Sequence, residues 1–247
     1  MWQATVDGQT LHFHLAGINN QNFLMRDEET GSWWQQITGQ AIFGPLKGRR
    51  LKPVPQDEIS FALWKREHAE GRVLRPDPAL LKAGKYAPAD WEARIARLPV
   101  ATRTHDSRLA PRELVVGMVV DGTSKAYPMA DVRRQSPIVD IVGGVPVVVV
   151  AAADGNSVRA FRRTFEGQTL ELYALAGGPA GTLVDSATGS EWDFAGRAIR
   201  GPLEGRRLAK IEVLRDYWFD WRTYHSGTEI FRTGLPRVPG GSATAAR

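Results

Sequence analysis

Two stretches of this chain repeat one another. Gly31-Ser32-Trp33-Trp34, Gly39-Gln40-Ala41-Ile42, Gly44-Pro45-Leu46 and Gly48-Arg49-Arg50-Leu51 return as Gly189-Ser190-Glu191-Trp192, Gly196-Arg197-Ala198-Ile199, Gly201-Pro202-Leu203 and Gly205-Arg206-Arg207-Leu208. Upstream, Gly8-Gln9-Thr10-Leu11 matches Gly167-Gln168-Thr169-Leu170, and downstream Trp64 and His68 match Trp221 and His225. The offset shortens from 159 to 157 residues along the repeat. Small drift inside a shared pattern marks a duplicated unit, and such a period has to be read before anything else. The expected fold is mainly β, a β-rich α+β chain of two tandem, duplicated β units with short peripheral helices.

A chain of 247 residues suits two domains of about 100–150 residues each. The formal charge of +5 comes from 25 Arg and 7 Lys that are scattered along the chain. Without a basic stripe or a binding motif, that charge argues against a nucleic-acid partner. The absence of cysteine removes disulfides, thiolate metal sites and a cysteine nucleophile. The first 25 residues hold no basic-then-apolar leader, and the longest apolar run, Val145–Ala153, has nine residues and contains Pro146. A membrane-crossing helix needs about 20 residues, so this run is read as a buried strand of a soluble chain.

Leu11, Phe13 and Leu15 alternate with His12 and His14 and predict a half-buried strand. Asp27-Glu28-Glu29-Thr30-Gly31 and Asp185-Ser186-Ala187-Thr188-Gly189 read as hairpin loops, with Asp starting the turn and Gly taking positive φ. Turn geometry therefore explains these shared residues before any function is invoked. Short helices are expected over about 57–70 and 216–225, each opened by an Asp able to cap its amides. One more helix is expected over 88–98. Strands are expected over 114–120, 138–142, 145–151 and 158–164. These readings divide the chain into a first β unit (1–75), a linker (76–110), a second β unit (111–235) and a disordered tail (236–247). The second copy is preceded by strand-rich sequence, 111–165, that the first lacks. The first unit is therefore expected to be N-terminally incomplete, with an exposed sheet edge through which an oligomer could form.

Several motifs lie in order along nearly the whole chain: Leu24-Met25-x-Asp27-x-x-Thr30-x-Ser32-x-Trp34-x-Gln36-x-x-Gly39-x-Ala41-Ile42, Asp106-x-Arg108-Leu109-x-Pro111-x-Glu113-x-Val115-x-Gly117, Lys125-Ala126-Tyr127-Pro128, Val142-Gly143-Gly144-Val145-Pro146 and Trp218-Phe219-x-Trp221. In these the chain resembles the bacterial and archaeal domain-of-unknown-function family 3179, a resemblance that brings no established activity. It implies two tandem units, the first usually opened by a segment with Trp-His-Glu and Cys-Pro-x-Cys stretches. Here such a segment does not precede the first copy. In the second copy Val132-Arg133-Arg134 and Ala151-Ala152-Ala153-Asp154-Gly155 stand in the places of those stretches. The resemblance implies that chemistry needing those His and Cys groups would lie in a missing upstream segment, in a full-length form that is extracytoplasmic.

Structural residues should match between copies, whereas functional ones need not. Trp34 and Gln36 pair with Trp192 and Phe194, and the loop Asn19-Asn20-Gln21-Asn22 is replaced by Gly177-Gly178-Pro179-Ala180. Polar groups gathered in the first copy point to a ligand site around Asn20, Met25, Trp34 and Gln36. His12 and His14 could chelate a metal, but no further ligand is placed near them, so no metal site is assigned and the pair is read as a solvent-facing strand surface. His68 and His225, each four residues after a Trp, are read as ring-packing residues, and Asp27 as a turn residue. No catalytic residue and no cofactor can be assigned. Three readings stay open: a binder of a small-molecule ligand or a catalytically incomplete protein, a metal- or redox-dependent enzyme with an upstream segment, and a structural interaction module.

Overall fold

The computed structural model describes residues 1–19, 22–100 and 106–233, and the tail expected from 236 lies outside them. The chain opens with a hairpin of β1 (Thr5–Val6) and β2 (Gln9–Thr10) around Asp7 and Gly8. Both turn residues have positive φ, 49° and 83°, as a two-residue mirror-image turn requires. An antiparallel meander follows: β3 (Phe13–Asn19), β4 (Asn22–Asp27), β5 (Trp33–Gln35) and β6 (Gln40–Phe43). Val6, Leu11, Trp34, Ala41 and Leu51 form the core beneath it, with Phe13 packed edge-on against Trp34 at 5.8 Å. The alternation expected over Leu11–Leu15 fails at its end. Leu11 is buried ahead of the strand, but Leu15 is 63% exposed, at the start of a bulge between Leu15 and Gly17.

The repeated residues build the same lock twice. Asp27 accepts hydrogen bonds from the Trp34 indole N–H (2.7 Å), the Thr30 amide (2.6 Å) and the Thr30 hydroxyl (2.8 Å). Asp185 accepts from Trp192 (3.2 Å) and from the amide (2.8 Å) and hydroxyl (2.9 Å) of Thr188. Ser32 and Ser190 each accept a second turn's amide, from Leu46 and Leu203. Gly44 and Gly201 pass so close to those serines that a Cβ would meet their Cα atoms at 2.7 and 2.8 Å. Arg49 pairs with Asp7 and Arg206 with Glu166, each at 3.0 Å. The motifs are devices of the fold.

Three short helices follow the meander: α1 (Phe61–Glu67), α2 (Pro78–Lys82) and α3 (Trp91–Ile95). The cap of α1 is Ser60, whose hydroxyl accepts the Leu63 amide, and not Asp57. Asp57 instead joins Glu67 in holding the buried Arg159 guanidinium, at 2.8 and 2.7 Å. The helix expected over 88–98 shortens to α3, and α2, capped by Asp77 with Pro78 in its first turn, is additional.

From residue 114 the strands are β7 (Leu114–Val120) and β8 (Thr123–Pro128), then α4 (Met129–Gln135), then β9 (Ile138–Val142), β10 (Val145–Ala151) and β11 (Val158–Arg162). A hairpin of β12 (Thr164–Phe165) and β13 (Gln168–Thr169) leads to a second meander: β14 (Leu172–Ala174), β15 (Leu183–Asp185), β16 (Glu191–Trp192) and β17 (Ala198–Arg200). The chain then adds β18 (Lys210–Ile211), β19 (Val213–Tyr217), α5 (Trp218–Tyr224) and β20 (Glu229–Ile230). Two further four-stranded sheets result, ordered β18-β11-β10-β9 and β19-β7-β8-β20. β10 is buried on both faces: Val147 and Val149 join one core cluster, Val148 and Val150 another. That is why its sequence reads as an unbroken apolar run.

Between residues 1–67 and the later sheets no buried apolar cluster is shared: the four clusters among the described residues fall within 2–51 or within 109–231, partly buried residues included. The two parts meet through polar bonds: Ser60 to Ser157, Asp57 and Glu67 to Arg159, Glu58 to Arg215, and Gln35 to Tyr224.

Burial opposes ionisation of Asp27, but the bonds from Trp34, Thr30 and Gly31 outweigh it and hold the carboxyl below its usual value. Its stabilisation is therefore complete above the unfolded carboxylate value near 4 and is lost as acid protonates the folded form. Asp27→Ala should cost about 1–3 kcal/mol by stranding the Trp34 N–H, and thermal melts at pH 7 check it. Gly117→Ala would push a Cβ to 2.3 Å from the Trp221 ring. Overpacking of that kind costs about 1–3 kcal/mol, read as a lower denaturant midpoint.

Candidate functional site

A cavity of ≈ 650 Å³ lies between the first meander and the sheet that carries β7 and β19. Trp2, Asn22, Gln36 and Ile37 line it from one side, and Met118, Val119, Leu214, Asp216 and Asp220 from the other. Its geometry begins with Gly117 on β7. With no Cβ there, the Trp221 ring settles onto the strand and brings α5 down against β7 and β19. Trp221 is fixed further by its N–H to Thr228 (2.9 Å) and by His225, whose ring stacks on it at 3.8 Å. The His225 Nδ1 lies 3.0 Å from the Trp221 carbonyl. Burial lowers the pKa of this histidine, so its ring is neutral at pH 7. The ring-packing reading holds here.

The docked helix carries Asp220 into the cavity wall, four residues after Asp216 at the end of β19. Asp216 was expected to cap the helix. It lies in the strand instead, the residue before the helix is Tyr217, and no side chain caps α5. One Asp216 oxygen accepts the Tyr217 amide at 2.7 Å, while Oδ2 is fully buried and receives no donor. Asp220 accepts from the Asn22 side chain, which reaches across from β4. The two carboxyl groups lie within hydrogen-bonding reach of each other. Burial first, then the Asp220 charge, pushes the Asp216 pKa up to about 8, and Glu58 adds to it. Burial also raises Asp220, against the bonds from Asn22 and Asp216. The pair is a carboxylate dyad whose ionisation is held above the ordinary aspartate range, since like charges this close cannot both ionise cheaply. The nearest cation, Arg215, is already paired with Glu58.

The residues expected to form a site do not meet as a group. Trp34 is 0% exposed, its N–H given to Asp27, and Met25 packs against the same core cluster. Gln36 does line the cavity; its carbonyl accepts the Trp2 indole N–H at 2.6 Å. Asn20 lies outside the described residues. The buried amide of this region is Gln35, bonded to Asn19 (3.1 Å) and to the Tyr224 hydroxyl (2.8 Å). Strand alternation selected Gln36, but β5 ends at Gln35. The dyad left a signal in the repeat: Asp216 and Asp220 stand opposite Ile59 and Leu63. Polar-for-apolar exchange between the copies marks them, in the second copy and not in the first, where the sequence reading placed the site.

His12 bonds to Glu29 at 2.6 Å and is largely exposed, while His14 lies 4.0 Å from Glu28. Among the described residues, no group of three or more His, Asp and Glu side chains is placed to hold a metal.

A raised acid destabilises the fold as pH rises. The unfolded chain releases the Asp216 proton near pH 4 and the folded chain near pH 8, so stability falls across that window. Asp216→Asn keeps the shape of the neutral acid. It should flatten the pH profile and exceed the parent's stability by a few kcal/mol at pH 9. Denaturant melts from pH 5 to 9 check it.

No curated protein and no solved structure matches the chain. Residues 1–228 match the model of a family described as "Protein of unknown function (DUF3179)". That span covers nearly all of the repeat and both walls of the cavity, and the chain belongs to this family.

Proposed function

We propose that this is a small-molecule-binding protein whose site is the cavity bounded by Asn22, Gln36, Met118, Asp216, Asp220 and Trp221. The observation that carries this reading is the pair of carboxyl groups, Asp216 and Asp220, in the wall of a cavity of ≈ 650 Å³ with no N–H or hydroxyl donating to Asp216 Oδ2. Buried polar atoms are almost always satisfied, and pockets of about 300–1,000 Å³ with a few convergent polar groups are the usual form of a ligand site. The reading keeps Gln36 from the sequence expectation and replaces the buried Trp34 and Met25 with the dyad. It treats 1–75 and 111–235 as two copies of one unit joined by 76–110, the cavity lying where the first copy's sheet meets the second copy's terminal helix. A screen of small molecules by thermal shift should find ligands that raise the melting temperature. Val119→Trp, on a half-exposed wall position, should abolish those shifts without lowering the ligand-free melting temperature. Shifts that survive this variant would remove the cavity from the account.

A second reading, an interaction surface, rests on the outer face of the first meander. Trp33 pairs in register with Phe43, which is 67% exposed. The corresponding pair on the second meander is an ion pair, Glu191 with Arg200 at 3.1 Å. If the apolar face associates, Trp33→Glu combined with Phe43→Arg should lower the sedimentation-derived mass. An unchanged monomer mass before and after would dismiss this reading.

A further inference from the structure

The chain already shows how one of its acid-bearing helices meets the opposing meander. On α1 and the segment before it, Glu67 and Asp57 grip the guanidinium of Arg159, whose plane lies 4.7 Å from the Phe194 ring. In the repeat, α1 corresponds to α5 and Phe194 to Gln36. At the α5 end, among the described residues, no guanidinium pairs with Asp216 or Asp220: Arg215 is paired with Glu58 and Arg222 lies by Asp106. The cavity stands there instead, with Gln36 on one wall and two carboxyl groups on the other. The acids are placed independently at the two ends, because Asp216 and Asp220 match Ile59 and Leu63, not Asp57 and Glu67. Both ends nonetheless bring two carboxyl groups to the opposing meander.

The charges around this cavity are one-sided. Asp220 is only 7% exposed, and its hydrogen-bond donor from the first meander is the neutral Asn22. Asp216 Oδ2 has no donor. Arg215 on β19 is spent on Glu58 from the segment before α1, Glu212 adds a further acid at the mouth, and His225 on α5 is neutral. The remaining charge at the rim is the chain's amino terminus at Met1, which is 69% exposed. The indole rings of Trp2 and Trp221 supply the walls, and aromatic faces beside carboxylates attract ammonium and guanidinium groups. A carboxylate or phosphate ligand would meet only repulsion from the dyad.

We propose that the cavity takes a small organic cation, an ammonium or guanidinium group on an apolar body, with its charge between Asp216 and Asp220 and its body against Trp221. This rests on the ligand-binding reading above and names the chemistry of that ligand. The bound cation replaces the proton that the dyad shares, pairs with the two carboxyl groups, and leaves the charge of the site unchanged. Binding therefore releases protons at pH 7 and strengthens as pH rises toward 9.

The test uses the full chain and three probes of one shape: n-butylguanidinium, its neutral isostere n-butylurea, and n-pentanoate. Calorimetry and tryptophan fluorescence should show n-butylguanidinium binding at least about tenfold tighter than n-butylurea, a difference of about 1.4 kcal/mol, and no binding of n-pentanoate. The binding heat should differ between buffers of different ionisation enthalpy, reporting the released protons. Asp216→Asn and Asp220→Asn, each first shown to be folded by circular dichroism, should erase the preference for the cation. Equal binding of n-butylurea would overturn the cation assignment while leaving the ligand-binding reading intact. Cation binding that persists in both variants would place it elsewhere and overturn the assignment as well. If neither these probes nor any screened molecule binds in a cavity-dependent way, the ligand-binding reading falls, and this inference with it.

Discussion

A buried carboxylate has to find donors or keep its proton, and the fold is arranged around three solutions to that requirement. Asp27 and Asp185 take the first: an indole N–H, a threonine amide and a threonine hydroxyl converge on each. These bonds tie a hairpin turn to the tryptophan at the centre of its own core, so each meander is fixed from within. Asp57 and Glu67 take the second, sharing the forked guanidinium of Arg159 across the contact between the first part of the chain and β11. The planar fork suits two carboxylates at once, as a lysine would not. Asp216 has neither solution, and the proton it retains is what sets the cavity apart from the rest of the interior.

The two halves of the repeat put the same backbone to different ends. β10, buried on both faces, is the wall shared by two core clusters in the later part of the chain. The first meander has its own smaller core under Trp34 and reaches the later sheets by polar bonds. An interface of hydrogen bonds and ion pairs tolerates a cavity more readily than an apolar one does, because its polar groups keep partners or water when the surfaces separate. The cavity forms at that interface, where α5 is held off the first meander by the reach of Asn22 to Asp220 and of Gln35 to Tyr224.

Much of this architecture could be read from residue order. β7, β9 and β10 occupy the residues that apolar runs and flanking glycines indicated, and both Asp-to-Gly loops are turns. Those features are local, decided by side-chain period and by φ at glycine. What failed depends on partners far along the chain. Ser60, not Asp57, caps α1, since Asp57 is claimed by Arg159 about a hundred residues away. Leu15 is exposed at the start of a bulge that no period discloses. Asp216 looked like a helix cap, its residue type being the favoured one, but the helix begins later and the acid is left in the strand. The dyad was legible only as a contrast with Ile59 and Leu63, and that contrast acquires meaning once the helix is seen to face a cavity.

The central claim is that Asp216 and Asp220 share a proton at neutral pH in the wall of that cavity. A carbon-13 NMR titration of the aspartate carboxyl groups in the full chain tests it most directly, with Asp216→Asn used to assign the signals. Because the two groups are coupled, the apparent values belong to the pair. The account predicts one carboxyl titrating near pH 8 and a second above the ordinary aspartate value, both altered by the substitution. If every aspartate in the folded chain titrates at or below about pH 4, the ordinary aspartate value, the dyad is ionised, its oxygens have found donors, and the account of the cavity is wrong.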